Sequence, residues 1–125
     1  MQPSNRDASA LWDMAQAIRE MQGFTANFDR PTYLQTLWIQ RVVERNLEIL
    51  SEAANRVSED FQETHSEIDW RNAVGLRNII IHRYDRIDQD ILWDIVTTIL
   101  PSLLLQIESL LPPLPSEEGW FLLEI

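Results

Sequence analysis

The chain has 125 residues, no cysteine, two histidines and three scattered glycines. That is enough for one domain with a single core, and it excludes disulfides, thiolate metal sites, cysteine nucleophiles and a glycine-rich phosphate loop. The formal net charge is −10 and all ten basic residues are arginine, so the chain as a whole repels nucleic acid.

The charge is unevenly placed. Between Trp70 and Arg86 stand Arg71, Arg77, Arg83 and Arg86 against Asp85 alone, a stretch able to hold a phosphate. After Arg86 come Asp88, Asp90, Asp94, Glu108, Glu117, Glu118 and Glu124 with no base. His65 and His82 lack ligand spacing, so no metal site is expected. The N-terminus is polar, without the apolar core of a signal peptide. The most apolar run, Ile91 to Leu111, is interrupted by Asp94, Pro101, Gln106 and Glu108. Together these indicate a cytoplasmic protein without a membrane span.

No stretch alternates with period two, so strands are not expected. A first helix is predicted from about Arg6 to Phe28, with Leu11, Met14, Ala15, Ile18, Met21 and Phe28 on one face. Asp29 is a candidate N-cap for a second, with Pro31 in its first turn. Its stripe runs through Ile39, Val42, Val43, Ile49, Leu50, Ala53 and Val57 and is broken by Asn46. A short polar helix follows around Ser58 to Thr64.

A further helix is expected from about Asp69 to Arg83. After a turn at Asp85 to Asp88, the last helix reaches Leu111 and is disturbed at Pro101, which lacks an N–H donor. That helix is apolar on nearly all sides, so it is either central or shared with a second copy. These elements read as an all-α, antiparallel four- to five-helix up-down bundle over residues 1–111, homodimeric. Residues 112–125 form a proline-rich link and an apolar tail, Gly119-Trp120-Phe121-Leu122-Leu123. The tail either folds back on its own bundle or docks on a partner.

The chemistry concentrates in Arg77-Asn78-Ile79-Ile80-Ile81-His82-Arg83-Tyr84. On helical spacing Arg77 falls within the apolar set Trp70, Ala73, Val74, Ile80, Ile81 and Tyr84. A buried unpaired guanidinium costs several kcal/mol. Either a carboxylate such as Glu48 or Glu52 pairs with Arg77, or the stripe borders a cleft that an anion enters.

Asn78 and His82 are four apart on one face, so the amide can fix the imidazole's tautomer. Arg77 and His82 differ by roughly 140° on one regular helix. They therefore meet only if the helix loosens near His82 or if two copies face each other. An arginine and a histidine without a metal suit RNA cleavage through the 2′-hydroxyl. Arg77 would hold the scissile phosphate and His82 would move the proton.

Arg77-Asn78-x-x-x-His82-x-Tyr84 resembles the signature of the HepT-like toxins of the HEPN superfamily. Ile49-Leu50-Ser51-Glu52-Ala53-Ala54, Trp70, Gly75-Leu76, Trp93 and Leu100-Pro101 resemble the family's surrounding sequence. Ser51 is a departure, since relatives often carry glycine there. The resemblance implies a homodimeric, metal-independent endoribonuclease, the toxin of a type VII-like pair, with Arg77 and His82 catalytic at a dimer cleft and Asn78 supporting. It further implies a nucleotidyltransferase antitoxin that uses ATP to transfer AMP to Tyr84, the chain itself needing no cofactor. The alternative is a non-catalytic nucleotide- or substrate-binding subunit of that transferase. A third reading makes Arg77 purely structural, paired with Glu52.

Overall fold

Ser4 opens the first helix, α1 (Asn5–Thr25), by accepting the Asp7 N–H at 3.1 Å, the standard satisfaction of an orphan donor. In this computed structural model, which describes residues 3–81 and 87–112, α1 buries Leu11, Met14, Ala15, Ile18 and Met21 as the apolar spacing requires.

Asp29 caps α2 (Arg30–Leu34), accepting from the Thr32 N–H at 2.9 Å, with Pro31 in the first turn. The expected second helix is not continuous. It breaks at Gln35–Thr36 and resumes as α3 (Leu37–Arg56). The carbonyls freed by the break are not left bare: the Gln40 amide donates to Tyr33 O at 3.0 Å and Leu34 O at 3.1 Å. Ser58 caps α4 (Glu59–Thr64).

The motif-bearing helix is α5 (Trp70–Ile81), and its expected last residues fall in the segment 82–86, outside the described residues. Asp88 caps α6 (Gln89–Asp94) through the Asp90 and Ile91 N–H groups. The disturbance expected at Pro101 takes the form of a π-helical turn over Ile95–Ile99, where the Leu100 N–H reaches back to Ile95 O. Helix α7 (Leu100–Glu108) completes the fold. A π turn is one way to seat a proline ring without a clash against the preceding turn.

The architecture is all-α, with no strand among the described residues. Four principal rods, α1, α3, α5 and the composite α6–α7, carry the core, and α2 and α4 are short connectors. Helix α3 is sandwiched between α1 and α5. It runs antiparallel to α1, as the Asp13–Arg56 ion pair and the Asp7–Ser58 contacts show. Helix α7 returns to α1 through Arg19–Glu108 at 2.8 Å.

By length and mean hydropathy the run Gln89–Glu108 could cross a membrane. Here Leu92, Trp93, Ile95, Val96, Leu100, Leu103, Leu104 and Ile107 are buried in the bundle. Phe24, Leu34, Leu37 and Trp38 leave an apolar patch exposed where α1 gives way to α2 and α3.

Two buried polar devices fix the ends of the bundle. At one end the buried Asp7 carboxylate accepts both the N–H and the hydroxyl of Ser58, each at 2.8 Å, tying the start of α1 to the start of α4. At the other, buried Glu44 accepts from Arg41 at 2.8 Å and from the Gln89 amide at 2.7 Å. Gln89 in turn accepts from the hydroxyl of fully buried Tyr33, also at 2.7 Å. Burial, with a smaller contribution from Glu44, pushes the Tyr33 phenol above its ordinary 10.0.

Asp7→Ala strands two donors and is expected to cost about 1–3 kcal/mol, seen as a lower urea midpoint at unchanged slope. A phenol held neutral by the fold adds stability that is complete below the unfolded value and is lost as pH rises above it. In an alkaline ultraviolet titration, Tyr33 should therefore ionise only as the fold opens. Tyr33→Phe should remove that late phase; ordinary titration of both tyrosines in the folded protein would contradict this reading.

Candidate active site

Trp70, Ala73 and Ile80 are buried, so α5 lies against the core along the stripe read from sequence. Arg77 springs from the same side. Its backbone N–H points at the Ser51 hydroxyl oxygen of α3, 3.4 Å away, while that hydroxyl donates to Val74 O. Ser51 is completely buried, so the root of Arg77 sits at the seam between α3 and α5. The side chain nevertheless emerges, and Arg77 is exposed. A long arginine stem allows this, because its methylenes can lie along apolar surface while the charged head stays in water.

Of the two outcomes open for Arg77, pairing with Glu48 or Glu52 is not the one formed. Glu48 pairs with Arg45 at 3.4 Å, and Glu52 is exposed. Among the described residues no carboxylate makes an ion pair with Arg77. This overturns the purely structural reading, which required a core pair with Glu52. Asn78 is exposed too, a step of about 100° around the helix from Arg77. His82 and Tyr84 lie outside the described residues.

The chain on either side of the segment 82–86 is firmly held. Before it, Ile80 is buried and Ser51 grips α5; after it, Asp88 caps α6 and Gln89 is locked to Glu44 and Tyr33. Sequence reasoning did not find this anchor. Its signal was a glutamate in the apolar stripe of α3 with an arginine three residues earlier. The role of Ser51 was also missed, although its departure from the family's glycine marked the position.

Asn46, the break in the α3 stripe, is buried. Its amide donates to Val42 O at 3.0 Å, and its side-chain oxygen has no partner. Among the described residues no three metal-ligating side chains gather.

A family model described as Ribonuclease HepT-like matches residues 14–110. A Methanocaldococcus jannaschii protein named as a candidate RNase is 36% identical over 106 residues, spanning 84% of this chain and 97% of the relative. A Thermococcus cleftensis protein named as a candidate ribonuclease HepT is 36% identical over 103 residues, spanning 82% and 92%. No solved structure matches. The family model's span, and relatives that align over almost their whole length, place this chain in the HepT-like ribonuclease family.

Proposed function

We propose that the chain is a toxin of a toxin–antitoxin pair that cleaves RNA without a metal, in the cytoplasm, with Arg77 and His82 as catalytic residues. The observation that carries this is the placement of Arg77. A guanidinium rooted in a buried helix seam, and reaching solvent with no carboxylate partner among the described residues, is ready for an anion. Membership of a ribonuclease family supports reading that anion as an RNA phosphodiester.

In the reaction the 2′-oxygen attacks phosphorus as His82 takes its proton. The bond from phosphorus to the 5′-oxygen breaks, and that oxygen leaves as it takes the proton back from the His82 imidazolium. The products are a cyclic phosphate and a free 5′-hydroxyl. Arg77 stabilises the charge that grows on the equatorial oxygens.

Arg77 and His82 diverge on one regular helix. We therefore place the working site between two copies, Arg77 of one facing His82 of the other, with Asn78 orienting the imidazole. A nucleotidyltransferase antitoxin using ATP would silence it by transferring AMP to Tyr84. The added phosphate and base would then occupy the position of the substrate phosphate and repel RNA.

The net charge of −10 favours one rival, a non-catalytic nucleotide-binding subunit of the transferase, since a free nuclease has to overcome long-range repulsion. The rival predicts ATP binding without cleavage.

On purified protein, Arg77→Ala and His82→Ala should each lower RNA cleavage by about 10²-fold or more with the fold retained by circular dichroism. Wild-type protein that cuts no RNA, while binding ATP, would replace this reading with its rival. Co-expression with the antitoxin should add whole AMP masses that Tyr84→Phe abolishes.

The seam gives a separate test. Ser51→Val should overfill it at about 1–3 kcal/mol and lower cleavage with stability. Ser51→Ala should cost about 1 kcal/mol and largely keep cleavage. Urea midpoints and turnover rates, measured side by side, check both.

A further inference from the structure

Between α5 and the composite α6–α7 rod runs an open cleft of about 750 Å³. Ala73, Leu76 and Ile79 form one wall; Ile91, Ile95 and Ile99 form the other. On that second wall Ile91 and Ile99 are 40% and 56% exposed, so the rod turns large apolar side chains toward an unfilled groove. One mouth is marked by Asp69 and Gln106, and the Gln106 amide closes the gap to Glu67 O at 3.1 Å.

We propose that this cleft is the docking site of the chain's own C-terminal segment, with Trp120, Phe121, Leu122 and Leu123 filling it. Three observations carry the assignment. First, the described chain ends at Pro112, just after Leu110 and Leu111 pack on the core, about one helical turn beyond Gln106 at the cleft mouth. Second, residues 113–125 can reach. At about 3.3 Å per extended residue they span roughly 40 Å, whereas the α5 wall from Asp69 to Ile79 rises only about 15 Å. Third, the composition fits. An acidic, proline-rich stretch (Pro113, Pro115, Glu117, Glu118) leads to a block of large apolar side chains, a link followed by something to bury.

A second copy is the poorer occupant. A two-fold contact through this face would set concave surface against concave surface. The exposed apolar side chains at Phe24, Leu37 and Trp38 lie where α1 meets α2 and α3 rather than on the cleft. The family match spans residues 14–110 and does not include residues 113–125.

The absence of cysteine gives a clean test. Ile99→Cys is combined in turn with Trp120→Cys, Leu122→Cys or Leu123→Cys in the full chain, and the variants are oxidised at low concentration. At least one pair should form an intramolecular disulfide, seen as a faster-migrating monomer and an intact-mass loss of two hydrogens. Leu37→Cys with the same partners should form none.

Disulfide-linked dimers in place of the monomeric product, or no disulfide in any pair, would overturn the assignment. As a second measurement, full-length Trp120→Asp/Phe121→Asp should bind an environment-sensitive apolar dye severalfold more strongly than wild type. Equal dye binding would overturn it. Both readouts are independent of nuclease activity, so their outcome is separable from that of the proposed reaction.

Discussion

The α3–α5 seam is the constraint on which the rest of the molecule turns. Among the described residues helix α3 packs closely on both α1 and α5, and Ser51 sits where α5 crosses it. Inside that contact a single hydroxyl donates to Val74 O and faces the Arg77 N–H. A hydroxyl buried so completely is costly unless both its roles are used. Using both fixes how α5 lies along α3, and that placement decides that the Arg77 side chain leaves the core rather than entering it.

The remaining parts keep this seam in place. Asp7 and Ser58 close one end of the bundle, and Glu44, Gln89 and Tyr33 close the other. The second closure lies immediately after the segment that carries the rest of the sequence motif, so the polypeptide is anchored on both sides of it. Acidity is spread over the solvent face, and many surface arginines are already committed: Arg19 to Glu108, Arg30 to Asp90 and Asp94, Arg56 to Asp13. Exposed pairs of this kind contribute little to stability. Arg77, by contrast, makes no ion pair among the described residues.

Much of this was legible in the sequence because helical periodicity is a strong signal. Leu11, Met14, Ile18 and Met21 announced α1; Asp29 and Pro31 announced the start of α2; Ser58 announced α4. The break at Gln35–Thr36 was not legible, since neither residue is a helix breaker and the decisive contact is the Gln40 amide folding back on two carbonyls. For the site, the anomaly of Arg77 in an apolar stripe could be read directly. Whether it was paired or exposed could not, because that depends on how the stem leaves the seam. The Tyr33–Gln89–Glu44 closure joins residues up to 56 positions apart, and no local pattern reports such a meeting. The HepT-like family match spans residues 14–110, the bundle as a whole, and agrees with the family resemblance read from the sequence.

The π turn at Ile95–Ile99 accounts for a puzzle in the last rod. Read as one regular spiral, its greasy positions surround the axis; the buried side chains are Leu92 and Trp93 before the irregularity, Ile95 and Val96 within it, and Leu100, Leu103, Leu104 and Ile107 after it. One surplus residue in that wide loop shifts the angular phase between the two halves, so the oily band skews across the cylinder instead of running straight. The rod is thus two short amphipathic pieces spliced out of step, with Ile91, Ile99 and Leu105 left exposed outside the oily band.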